Sequence, residues 1–245
     1  MTAVLEDKLS LYRGDPYKVT DKLIVHQPTL GEICDIGENE YLKTLGMVLA
    51  HPFEMIVQLD KMGIDFTKIS EFELFAMLCK SFAGTAITLL FSDVDFSSMC
   101  TYTLKDTNEM ILANKDGVVI NQYNYKMLCA FLRTIHNFSS PKYQTIANEY
   151  SKKMAIEEAY DNLQYASTKK KSKSLFMPLV SSLVNYSGFK YDLNSVWNLK
   201  MYQFFDAVKR IQAYENASHQ YIGLYMGSID FNKVKQDLDW MKDFT

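Results

Sequence analysis

The runs Cys100-Thr101-Tyr102-Thr103-Leu104, Met110-Ile111-Leu112 and Val118-Val119-Ile120 decide the fold class of this chain. Between them lie the polar segment Lys105 to Asn108 and the turn Lys115-Asp116-Gly117. Here an otherwise helical spacing of apolar residues gives way to short β-prone runs. Asp-Gly between two such runs is a strong hairpin signal, because Gly takes the positive φ that a tight turn requires. A small antiparallel β hairpin unit is therefore expected over about 97–121.

Upstream of it the first twenty residues, with Arg13-Gly14-Asp15-Pro16, read as an extended arm or loop, and Leu23-Ile24-Val25-His26 as a short strand. Thr29 with Glu32 three residues on forms a capping box, and Gly37 ends the helix it opens. From Glu38 to Phe91 the pattern is helical, interrupted at Gly46, Pro52 and Gly63. Pro52 suits a first helical turn carrying Phe53, Ile56, Val57 and Leu59, while Ser70 and Glu73 make a second capping box ahead of Phe75, Ala76, Leu78 and Cys79.

Downstream, a helix is expected from Gln122 to His136, with Tyr125, Leu128, Cys129, Leu132 and Ile135 on one side. A charged helix follows from Tyr143 to about Tyr165. The segment from Ser167 to Ser174 has no apolar residue and four lysines, and reads as a solvated linker. Beyond it come a helix to Tyr186, a turn capped by Asp192, and a long helix over Lys200 to Gly223. That helix sets Met201, Phe204, Phe205, Val208 and Ile211 on one face and Lys209 and Arg210 away from it. Ile229 to Trp240 reads as a last amphipathic helix. The chain is thus expected to be mostly α (α+β): a helical domain with the β unit over 1–166, a lysine-rich linker or loop at 167–174, and a C-terminal helical subdomain at 175–245.

Composition supports a globular protein, with 48% hydrophobic and 22% charged residues in 245. A net charge of -3 leaves no general electrostatic footprint for nucleic acid, which is not expected as a partner. Cys34, Cys79, Cys100 and Cys129 are far apart and form no CxxC pair, so they read as reduced, buried thiols. Met1 to Lys8 lacks the apolar core of a signal peptide, and the apolar run Ala83 to Phe91 is too short to span a bilayer. A cytoplasmic location, with no membrane association, is expected.

No catalytic, cofactor or metal site is expected, and the chain does not read as an enzyme. A nucleophile needs a Ser or Cys beside a His held by a third group. His26, His51, His136 and His219 are scattered and read as capping or surface residues. Asp93-Val94-Asp95 resembles a metal-binding pair, and a metal-dependent enzyme using it is one alternative reading, but unsupported pairs of this kind are common and capping of the turn before the hairpin is the preferred role. Thirteen Met with 16 Tyr and 15 Phe point instead to packing and protein interfaces. Trp197, Met201, Tyr202, Phe205, Tyr221, Tyr225 and Met226 are the candidate partner-binding residues, and homo-oligomerisation is left open.

The strings Phe189-Lys190-Tyr191, Val196-Trp197-Asn198-Leu199 and Gly227-Ser228-Ile229-Asp230, together with Gln27-Pro28-Thr29-Leu30 and Met62-Gly63-Ile64-Asp65-Phe66, resemble small morphogenesis proteins from the tail modules of bacteriophages of Gram-positive hosts. That resemblance implies a non-enzymatic tail assembly chaperone that binds the apolar helical tape measure protein. A virion component such as a connector or adaptor is the alternative within the same group. Programmed frameshifting in such proteins would place a junction at the lysine run.

Overall fold

The computed structural model describes residues 7–82, 84–92, 94–143, 145–168 and 173–244. Helix α1 (Lys8–Arg13) precedes an antiparallel hairpin of β1 (Tyr17–Thr20) and β2 (Leu23–Val25). Helices α2 (Leu30–Ile36), α3 (Glu38–Val48), α4 (Ile56–Lys61), α5 (Glu71–Leu78) and α6 (Thr85–Phe91) lead to a second sheet of β3 (Cys100–Thr103), β4 (Met110–Ala113) and β5 (Val119–Asn121). Then follow α7 (Gln122–Ile135), α8 (Glu149–Thr168), α9 (Phe176–Asn185), α10 (Met201–Tyr225) and α11 (Phe231–Val234). The chain is a mostly helical α+β protein, as its apolar spacing predicts.

The second sheet is an antiparallel meander in the order β3-β4-β5, with Thr101 opposite Leu112 and Leu112 opposite Ile120. Its first turn closes by a bond from the Leu104 N–H to the Glu109 carbonyl at 2.9 Å, with Asn108 at φ 54. Its second turn uses Gly117 at φ 79, the left-handed conformation that the Asp-Gly pair anticipates. Both capping boxes form: Thr29 Oγ1 accepts from the Glu32 N–H at 3.1 Å, and Ser70 Oγ from the Glu73 N–H at 3.1 Å. Each glutamate answers by accepting from the cap residue's own N–H, so two otherwise orphaned donors are satisfied at once.

The main core joins α7 to almost everything else. Tyr125, Leu128 and Leu132 share it with Tyr41 and Leu45 of α3, Phe75 of α5 and Leu90 of α6, all fully or nearly fully buried. Tyr125, Phe75 and Phe96 stack in tilted and edge-to-face pairs 4.8 and 6.3 Å apart. A smaller cluster of Ile56, Leu59, Phe66 and Leu74 is covered by Ala155, Ile156 and Ala159 of α8. The C-terminal segment enters the main core too, through Phe176, Val196, Leu199, Met201 and Phe204. Its entry is fixed by backbone bonds from Leu30 N–H to Leu199 O at 3.0 Å and from Met201 N–H to Pro28 O at 3.1 Å.

Several sequence expectations are corrected. Residues 7–20 are not an arm, since α1 and β1 form there, with Asp7 capping α1 and Leu11 buried; Met1 to Glu6 lie outside the described residues. Cys34 and Cys100 are exposed, because Cys34 lies on the outer face of α2 and β3 is an outer strand exposed along its whole length. His136 stands at the C-cap of α7, yet its ring is buried. The charged helix begins at Glu149 rather than Tyr143, after an Asn148 side chain that accepts from the Ser151 N–H. From Ile229 to Trp240 only the four residues of α11 are helical. Lys209 and Arg210 do not point idly outward: Arg210 donates to the carbonyls of Trp240 and Lys242 at 3.2 and 2.8 Å and holds the chain's last residues against α10. Of the lysine run, Lys169, Lys170 and Lys171 lie outside the described residues, as does Asp93.

Candidate functional site

An apolar cleft of about 380 Å³ opens between α2, α9 and the turn at 193–198. Its entrance is set by Glu38 in the first turn of α3, whose carboxylate accepts from the Ser174 hydroxyl and from the N–H groups of Leu175 and Phe176. A carboxylate is well placed there, since the first N–H groups of a helix have no intrahelical acceptor. Ile33 and Phe176 form the buried floor, and Met177, Leu193 and Trp197 expose apolar surface around it. Gly31 lets the 193–198 turn approach, because a Cβ at that position would lie only 3.1 Å from the Trp197 carbonyl oxygen.

The seven predicted partner-binding residues do not share one surface. Trp197 lines the cleft and is about one-third exposed. Met201 is wholly enclosed in the core. Tyr202 is half-buried, edge-to-face with Tyr12 at 6.4 Å, and burial followed by the Asp206 charge raises the pKa of its hydroxyl. Phe205 is half-buried beside Phe204 and Phe176, at 5.1 and 6.2 Å. Tyr221, Tyr225 and Met226 are exposed at the far end of α10, where the helix has passed beyond the core, and Tyr225 is 88% exposed. The chain turns back there, with Ser228 N–H bonded to Gly223 O at 3.0 Å and Trp240 edge-on to Tyr214 at 5.3 Å.

Leu193, Met177 and Cys34 also line the cleft, and sequence reasoning does not find them. They come from three separate segments, and no spacing rule links them. Asp95 braces its own turn, since its Oδ1 accepts from the Ser97 N–H and hydroxyl at 3.0 and 2.6 Å, and these bonds hold its carboxyl below the usual range. Among the described residues no three His, Cys, Asp or Glu side chains converge as metal ligands, and no helix is long and apolar enough to cross a membrane. One chemical pair that chain separation hides is brought together, the Ser92 hydroxyl and His26 Nε2 at 2.8 Å.

No curated protein and no solved structure matches the chain. Residues 168–245 are similar to the family model of the YomV second domain, whose name is associated with phages.

Proposed function

We propose that this is a bacteriophage morphogenesis protein acting as a tail assembly chaperone in the host cytoplasm. In this reading it covers an apolar helical segment of the tape measure protein while the tail tube grows. The carrying observation is the apolar cleft between α2, α9 and the 193–198 turn, whose α9 and 193–198 walls lie within the residues similar to the phage family. Helix-in-groove binding needs an apolar channel edged by adaptable side chains, and Met177 and Trp197 are of that kind. Such a role needs no bond-making chemistry.

Titration of the full chain with purified tape measure protein from the same phage tests the reading. Binding is expected, with Leu193→Asp weakening it at least about tenfold, the size of effect a charge introduced at an interface centre produces. Absence of association, or equal affinity of the Leu193→Asp variant, would count against it. Mass spectrometry of mature particles separates a chaperone, which is left behind, from a connector or adaptor, which stays.

A further inference from the structure

We propose that Ser92 and His26 form a nucleophile and base pair able to accept an acyl group from a small ester. This is an activity separate from the binding role above. The Ser92 Oγ and His26 Nε2 are 2.8 Å apart, within reach for direct proton transfer. Two backbone features hold the pair. His26 follows the fully buried end of β2, and its N–H donates to the Leu90 carbonyl at 2.8 Å, tying it to the last turn of α6. Ser92 is the next residue but one, at the C-cap of α6, with φ 52 and ψ -123.

That backbone conformation is rarely adopted by a residue with a side chain, and such outliers gather at sites where a side chain must be aimed. Ser92 is exposed, so a reagent can reach it. Alternation along β2 puts Ile24 and His26 on the side opposite the buried Val25. Both line a cavity of about 360 Å³ with Ser92, Phe91 and Val94. Apolar walls and this small volume suit a short acyl chain. The charged groups on the rim are Asp21, Lys22 and Asp116, with the Lys22 ammonium donating to the Asp116 carbonyl at 2.7 Å.

In the step proposed, Ser92 Oγ adds to the ester carbonyl carbon while His26 Nε2 takes the hydroxyl proton. Collapse of the adduct breaks the carbon–oxygen bond to the alcohol, which leaves with that proton. Water then adds to the acyl-serine, His26 takes its proton, and the acid departs as the proton returns to Oγ. The imidazole must carry its resting proton on Nδ1 for this to run.

Intact-mass analysis of the full-length protein treated with a fluorophosphonate tests the pair. One adduct is expected, mapping to Ser92. His26→Gln should slow it at least about tenfold. Ser92→Ala should abolish it, and Ser92→Gly should do the same while keeping the fold, because glycine adopts φ 52 freely. No adduct at Ser92, or one formed at equal rate in His26→Gln, overturns the proposal. Neither result depends on whether a tape measure protein binds.

Discussion

The His136 ring donates through Nδ1 to the Leu132 carbonyl at 2.7 Å and accepts through Nε2 from the Tyr41 hydroxyl at 2.6 Å. The carbonyl can only accept, so the tautomer follows from the geometry. Both rings are buried, and burial pushes the His136 pKa from 6.5 down to about 4. A histidine held neutral in the fold and free to charge in the unfolded chain gives a definite pH response. Its full stability is present above about pH 6.5, and it is lost as pH falls toward about 4, because the unfolded state takes up the proton first. Urea unfolding should show a loss on the order of 3 kcal/mol across that window from this group. His136→Gln should flatten that part of the profile; an unchanged slope would contradict the assignment. Nothing in the sequence marks His136 as different from His219, which lies exposed on α10. Its depth is set by α3 folding over α7.

At the scale of single elements, α8 depends on few contacts. Its inner stripe of Lys152, Ala155, Ile156 and Ala159 follows helical spacing, and past Ala159 every residue through Ala166 is exposed. Lys152 pairs with Asp65 at 2.7 Å, and the Tyr160 hydroxyl donates to Asp60 at 3.0 Å. The Lys152 and Thr67 bonds hold the Asp65 carboxyl well below its usual range. An ion pair at this degree of exposure adds little, so the apolar stripe carries the attachment. Ile156→Asp should therefore release α8 while leaving α7 in place. Hydrogen exchange should then show protection lost over 149–168 and kept over 122–135; loss in both helices would show that α8 belongs to the cooperative core. The stripe and both capping boxes are legible in the sequence because they act over three or four residues. The start of α8 and the shortness of α11 are not, since the apolar pattern extends past the point where a packing partner exists.

Across the whole molecule, the C-terminal segment completes the core that the N-terminal segment begins. Leu30 and Ile33 of α2 share it with Val196, Leu199, Met201 and Phe204. Removing residues 174–245 would leave that surface open, since each large apolar side chain contributes about 1.5–3 kcal/mol when buried. The 1–173 fragment is predicted to lose fixed tertiary packing, seen as collapse of the near-ultraviolet circular dichroism and binding of a hydrophobic dye. A fragment with native-like spectra and cooperative unfolding would refute this. The sequence by itself determined the elements: the two capping boxes, the Asp-Gly turn, the meander and the stripes of α7 and α10 all follow from local backbone preferences and apolar spacing. Only the tertiary structure decided which apolar residues stay exposed, placed Met201 inside and Tyr225 outside on the same helix, and set Ser92 against His26 across 66 positions. Those outcomes depend on which surfaces meet after the chain closes, and contacts between distant segments leave no periodic trace in the sequence.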